Sequence, residues 1–278
     1  MTRPARLEPA ASSDSLLDRL AAGAVVADRI ALVAAHPDDE ILGLGGRLDR
    51  MPDLRIIHLT DGAPLDGADA RRAGFDCPPA YAEARRRELD AALEAAGAEP
   101  ERRAYDVSDQ TTVRRLAELA RRLAEDLADR EAVFTHPYEG GHPDHDAAAF
   151  AAAAAVRLLA RAGRAAPRRY EFASYHRGPQ GRVAGAFHAD PGRPETLAVL
   201  STDDRRRKAR ALAAFRTQGD VAAWFPQGVE RWRSAPDYDF TRPPPPGGCL
   251  YDEFGWAITG EVWRGHARAA LADLELAP

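Results

Sequence analysis

Two short segments hold the residues whose types and spacing could do chemistry, Ala35-His36-Pro37-Asp38-Asp39-Glu40 and Gly141-His142-Pro143-Asp144-His145-Asp146. In each, a proline follows a histidine and carboxylates follow the proline. Proline suits the first position of a helix, where its missing N–H has no helical partner. Carboxylates just after it are favoured by the helix dipole. A helix N-terminus therefore explains Pro37, Asp38, Pro143 and Asp144, but it leaves the histidines unexplained. His36 and Asp39 are three residues apart, and His142 and His145 repeat that spacing. Two imidazoles with one carboxylate, leaving a fourth position for water, is the usual ligand set of a catalytic zinc.

Both segments lie where an apolar run of strand length gives way to a helix. Arg29 to Ala35 stops at His36-Pro37, and Glu131 to Thr135 stops at His136-Pro137. Leu54 to Thr60, Arg103 to Val107, Arg169 to Tyr175 and Glu195 to Leu200 read as further strands. Helices are expected over Tyr81 to Ala96, Thr111 to Asp129, Pro143 to Gly163, Asp203 to Thr217 with Thr202 as cap, and Glu261 to Leu276. Ser12 or Ser13 should cap a short helix running through Leu20. Short apolar strands alternating with helices predict an α/β, Rossmann-like fold, a mostly parallel sheet flanked by helices, with a less regular C-terminal extension. The expected division is an arm and short helix over 1–28, a catalytic domain over 29–220 and an extension over 221–278 packing on it. In such sheets ligands bind beyond the carboxyl ends of the strands, where both histidine motifs fall.

The residues resemble the LmbE-like or PIG-L family of zinc-dependent N-acetylglucosaminyl deacetylases. That family's A-H-P-D-D-E is matched by Ala35 to Glu40 and its H-P-D-H by His142 to His145. Its R-x-x-E-L appears as Arg85 to Leu89, and a late K-x-x-A-L-x-x-[HYF]-R-[ST]-Q stretch is similar to Lys208 to Gln218. The resemblance implies His36, Asp39 and His145 as ligands of Zn2+, with Fe2+ or another divalent ion as an alternative. It implies Asp38 as general base toward the attacking water and His142, protonated, as the group that steadies the oxyanion or protonates the leaving amine. Arg85 would anchor the substrate, and Asp144 would orient one of the imidazoles from behind. Amide hydrolysis fits those residue types, because zinc lowers the pKa of its bound water to roughly 7 and a neighbouring carboxylate can take the proton. One position departs from the pattern. Some members carry a tyrosine two residues before the second motif, where this chain has Gly140, and the nearest tyrosine is Tyr138.

The expected activity is removal of an N-acetyl group from a small-molecule amino sugar or sugar conjugate. Alternatives are an amidase acting on another N-acyl substrate, such as a thiol conjugate or natural product, and a metal-binding protein without turnover. The formal charge of −5 argues against nucleic acid as a partner. The Arg85-Arg86-Arg87 and Arg205-Arg206-Arg207-Lys208 runs sit among acids in helical stretches and read as solvated faces. Cys77 and Cys249 are too far apart for C-x-x-C chemistry. No stretch reaches the roughly 20 apolar residues that span a bilayer, so a cytoplasmic enzyme is expected, and a homo-oligomer is compatible with the sequence. Gly43-Leu44-Gly45-Gly46 falls too late for a dinucleotide turn and is expected to let the first motif's helix pack closely. His58 reads as a core histidine, His136 as a cleft or loop residue, and His176, His188 and His266 as surface or rim. The four tryptophans read chiefly as packing, with a sugar-binding rim as the alternative.

Overall fold

The computed structural model describes residues 15–246 and 248–278, so the expected Ser12 or Ser13 cap lies outside it. Helix α1 (Ser15–Ala21) leads into β1 (Ile30–Ala34), α2 (Asp39–Leu44) and β2 (Leu54–Pro64). Then come α3 (Ala68–Arg72), α4 (Pro78–Ala96), β3 (Glu101–Asp109), α5 (Leu116–Asp126), β4 (Ala132–Thr135) and α6 (Pro143–Arg161). The second half runs β5 (Arg168–Phe172), β6 (Tyr175–Gly178), β7 (Gly181–Ala184), β8 (Thr196–Val199), α7 (Thr202–Leu212), α8 (Gly219–Ala222), β9 (Val229–Ser234) and α9 (Gly260–Asp273).

Seven strands form one sheet in the order β3-β2-β1-β4-β5-β9-β8. The first five are parallel, and β9 is antiparallel to both β5 and β8. Period-two alternation along β1 shows why both faces are covered. Ile30, Leu32 and Ala34 join an apolar cluster with residues of α2, α4 and α7. Ala31, Val33 and Ala35 face the opposite way, into a cluster with residues of α5 and α6. A third cluster, including Phe150, Phe240 and Trp263, seats α9 against α6.

The α/β architecture is as expected, and three details differ. The C-terminal third supplies β9, which lies inside the sheet rather than outside it. Its alternation is obscured in the sequence by Glu230, Arg231 and Arg233, whose charges are met by partners in the fold. The β6–β7 hairpin was not expected either, being short and polar. Helix α7 is capped by Ser201, not Thr202, because Ser201 and Asp204 exchange the two hydrogen bonds of a capping box. The glycine run behaves as expected. A Cβ on Gly43 would stand 2.4 Å from the Phe172 ring and one on Gly46 2.5 Å from Leu200, so α2 lies against the core only because these side chains are missing.

Candidate active site

The strand order reverses direction between β1 and β4, and the segments following these two neighbours carry the two histidine motifs. This is the topological switch point, where the connections part to opposite faces and leave a crevice. A cavity of about 420 Å3 opens there, lined among others by His36, Asp38, Asp39, Asp109, His142 and His145.

His36 follows β1 directly. Its backbone N–H donates to Asp39 Oδ2 at 2.8 Å, and its Nδ1 lies 3.3 Å from the same oxygen. Its Nε2 lies 3.2 Å from Asp109 Oδ1 and 3.5 Å from Asp144 Oδ2. Burial works against a charge on His36, but Asp109, with Asp144 and Asp39, holds its pKa well above the usual imidazole value. His145, on the first turn of α6, places Nδ1 3.0 Å from Ser174 Oγ. Its Nε2 has no hydrogen-bond partner and lies 3.4 Å from Asp39 Oδ1. Burial, helped by His136, brings the His145 pKa down to about 3, so this imidazole is neutral. Asp39 is buried, yet His136 and His145 hold its carboxyl well below the usual range.

Asp38 is backed by Arg85. The guanidinium reaches from α4 and donates to Pro37 O at 2.7 Å, Gly62 O at 2.9 Å and Asp38 Oδ2 at 3.0 Å. Burial pushes the Asp38 carboxyl up to about 8, with Arg85 as the main opposing influence. The Asp38 backbone sits at φ 148°, outside the regions that L residues favour. Strain of that kind persists where surrounding bonds over-determine it, and it concentrates at functional sites. Arg85, expected at the substrate, forms part of the cavity wall, but its donors are directed at Asp38 and two carbonyls.

His142 is the N-cap of α6, and its Nδ1 accepts the Asp144 backbone N–H at 3.2 Å. Nε2 must then carry the ring hydrogen. Burial and neighbouring His36 lower its pKa well below 6.5. Asp144 is fully buried, and its Oδ2 accepts the Gln110 N–H at 2.6 Å while Thr112 donates to Oδ1.

Asp109 and Tyr175 belong to no motif in the sequence, and other neighbours fall at the site or away from it. Asp109 ends β3 beside His36, and burial raises its carboxyl to about 6. Its signal was a carboxylate at the end of a parallel strand, obscured because β3 was read as ending at Val107. His136 is fully buried, stacked on His145 with ring centroids 4.0 Å apart and 3.2 Å from Asp39. His58 is a core residue as expected, paired with buried Glu40 at 3.0 Å. Tyr138 turns away from the cavity, donating to Arg242 O at 2.8 Å and stacking on Trp263. Tyr175 lines the cavity instead, its ring 5.0 Å from His145. The tryptophans divide, with Trp232 and Trp263 buried in the core and Trp224 and Trp256 on the cavity wall.

The donor set can be tested for a metal from its own geometry. Ligand atoms at about 2.0–2.1 Å from a tetrahedral ion stand roughly 3.3–3.4 Å apart. His36 Nδ1 to Asp39 Oδ2 at 3.3 Å and His145 Nε2 to Asp39 Oδ1 at 3.4 Å match that spacing pair by pair, through the two different oxygens of the carboxylate. His145 Nε2 is buried without a partner, and ligand atoms of His36, His142 and His145 lie within 4.8 Å of one another, as do those of Asp39, His136 and His145, so this buried cluster offers donors that fit a divalent ion.

The family model for PIG-L, described as GlcNAc-PI de-N-acetylase, matches residues 31–156. The PIG-L match takes in both histidine motifs and every strand from β1 to β4. No curated protein matches the sequence. Among solved structures, an antimicrobial-reagent pseudoaglycone deacetylase aligns with TM-score 0.57 and 20% identity, over 75% of this chain and 97% of that one. The N,N'-diacetylchitobiose deacetylase of Pyrococcus horikoshii aligns with TM-score 0.51 and 17% identity, over 78% and 88%. The 4-carboxy-2-hydroxymuconate hydratase GalB of Pseudomonas putida aligns with TM-score 0.51 and 20% identity, over 76% and 97%. At these identities the alignments establish a shared fold, and that fold serves more than one reaction.

Proposed function

We propose that this protein is a metal-dependent hydrolase that removes an N-acetyl group from an amino sugar or amino sugar conjugate. The observation that carries the reading is the gathering of His36, Asp39 and the unpartnered His145 Nε2 beside Asp38 in the lining of one cavity, within a buried cluster of metal-ligating side chains. Those three residues would hold the ion, zinc in our reading, with iron(II) as the alternative. A divalent ion there supplies Lewis acidity and a water of lowered pKa.

The chain's own residues divide the remaining work. Asp109 Oδ1 pairs with His36 Nε2 at 3.2 Å, so that when His36 gives up its Nδ1 proton for an incoming ion the remaining hydrogen stays on Nε2. Asp38, held by Arg85, takes a proton from the attacking water as its oxygen bonds to the acyl carbon. His142 lines the cavity, and its Nε2–H would donate to the oxyanion as the carbonyl opens. Breaking the C–N bond then returns a proton to the amine nitrogen, with Asp38 as its nearest carrier. Tyr175 is our candidate for polarising the carbonyl in place of the tyrosine missing at position 140.

A conjugate suits the space better than a free monosaccharide does. A second hollow of about 720 Å3 adjoins the cavity and shares Asp69, Arg72, Thr217 and Asp220 with it. Trp224 and Trp256 offer aromatic faces for a sugar ring. We take 29–220 as the body of the catalytic domain and 221–278 as the part that completes it, since β9 lies inside the sheet and Phe254 and Trp256 reach the cavity wall. No helix among the described residues is long and apolar enough to cross a membrane. Two free cysteines suit a reducing compartment, and we read the enzyme as cytoplasmic. The test is acetate release from a panel of N-acetylated sugars and conjugates, with metal content measured in parallel. Asp38→Asn should keep the metal and lose acetate release, and wild-type turnover in that variant would remove Asp38 from the chemistry.

A further inference from the structure

On the far side of the loop that precedes α6, three more donor residues converge. Glu139, His176 on β6 and His188 beyond β7 each offer a ligand atom, and these atoms lie within 4.8 Å of one another. Glu139 is 4% exposed and His176 3%. Neither Glu139 carboxylate oxygen has a hydrogen-bond partner, and neither does His176 Nδ1. His176 Nδ1 stands 3.3 Å from Glu139 Oε2, close but not hydrogen-bonded. That is again the separation of two ligands on one tetrahedral ion. The His188 ring lies with its centroid 3.6 Å from that of His176.

Two bare carboxylate oxygens in a protein interior are costly, and native folds rarely leave them so. The charges around them do not resolve the deficit. Arg233 is the nearest buried cation, but its Nε donates to Glu171 Oε2 at 2.8 Å. Asp146 lies on the other side and takes the Glu139 and Gly140 backbone N–H groups. Asp190 and Arg193 stand at the mouth of a cavity of about 260 Å3 that reaches Glu139 and His188. This cavity shares no lining residue with the one at His36.

We propose that Glu139, His176 and His188 form a second divalent-metal site, separate from the catalytic cluster. Two imidazoles and a carboxylate favour zinc or a neighbouring transition ion over magnesium or calcium. Water entering through the 260 Å3 cavity completes the coordination. The site's effect is to tie the β6–β7 hairpin to the loop that carries His142. The hairpin already seats tightly there, since a Cβ on Gly141 would stand 1.8 Å from Tyr175 O.

The test is metal counting on the full chain. Protein stripped with a chelator is titrated with zinc alone, desalted and analysed for bound metal. Wild type should hold two equivalents per chain. Glu139→Gln keeps the side chain's shape and His188→Gln alters a half-buried residue, and each should hold one. His145→Ala should hold one as well, and His145→Ala/His188→Gln none. Two equivalents in both Glu139→Gln and His188→Gln, or a single wild-type equivalent that survives His188→Gln, overturns the proposal. A single equivalent lost in His188→Gln but kept in His145→Ala would uphold this site and instead remove the metal from the catalytic cluster.

Discussion

Replacing Arg85 by glutamine separates two roles that the same residue could play. As a substrate anchor, Arg85 would act on KM. As the partner of Asp38, it acts on the protonation of the base. The guanidinium is 3% exposed and all three of its hydrogen bonds run to protein groups, one of them to Asp38 Oδ2 at 3.0 Å. A hydrogen bond to a charged group is worth about 1.5–3 kcal/mol net. At about 1.4 kcal/mol per pKa unit, its loss raises the Asp38 pKa by roughly 1–2 units. Burial has already lifted that carboxyl to about 8, and Arg85 is the main group resisting the rise. The base is active when deprotonated, so activity grows as pH rises through its pKa and the variant needs a higher pH. At pH 7 kcat should fall roughly 10–100-fold, recover towards alkaline pH, and leave KM little changed. The assay is initial-rate acetate release across pH, with circular dichroism on each variant. An acidic limb that stays in place while KM rises would refute this reasoning and return Arg85 to the substrate.

Lys208 and Glu230 form a buried pair, 2.7 Å apart and both about 1% exposed, and Lys208 also donates to Leu42 O. Lys208→Met should cost about 3–5 kcal/mol by urea unfolding, because it strands the Glu230 charge. Lys208→Met/Glu230→Gln should regain part of that loss, and a double variant no better than the single would show that the pair is not the cause. Glu139 and Glu171 are carboxyls whose folded pKa values, about 8 and about 7, lie above the ordinary range because of burial. Their contribution is therefore fully present below about pH 4.5 and is lost as pH rises through 7 and 8. Metal-free protein should melt at lower temperature at pH 8.5 than at pH 6, less steeply in Glu139→Gln. A Tm that rises over this interval in both proteins would contradict the assignment. Gly43→Ala drives a Cβ to 2.4 Å from the Phe172 ring and should destabilise by about 1–3 kcal/mol, and an unchanged urea midpoint would show that α2 can shift away.

Much of the sheet was legible because its central strands are short, apolar and buried on both faces, so hydrophobic run length alone marks β1, β2 and β4. The candidate site was legible for a different reason. Its histidines stand at helix starts, where neither helix propensity nor the dipole calls for them. What stayed hidden depends on contacts distant in sequence. Asp109 lies 73 residues from His36, which gives it its meaning. Glu139, His176 and His188 have no helical or strand periodicity in common, so nothing short of the hairpin's docking brings them together. Lys208 belongs to a stretch similar to a family motif, yet its partners are Glu230 and a backbone carbonyl, which makes its part in the motif structural. Tyr138 was the natural replacement for a missing tyrosine by proximity in sequence, but apolar packing against Trp263 and Phe240 draws it the other way.

The balance of charge in the cavity floor supports a cation independently of ligand spacing. Asp38, Asp39, Asp109 and Asp144 are all buried, none more than 7% exposed, and Arg85 is the permanently charged cation bonded to the group. Histidine offsets only part of the deficit, because burial keeps His142 and His145 neutral and leaves His36 to share its hydrogen with Asp109 and Asp144. Like-charged carboxylates held this close in low dielectric either take up protons or bind a cation. Burial lifts Asp38 and Asp109 above the ordinary carboxylate range, and proton uptake follows from that. A divalent ion between Asp39 and the imidazoles would reverse that, returning Asp38 to its anionic form at the position where a base is needed. Metal binding and activation of the base are in this sense one event, and zinc uptake by the stripped protein should release protons in amounts that fall when Asp38 is replaced by asparagine.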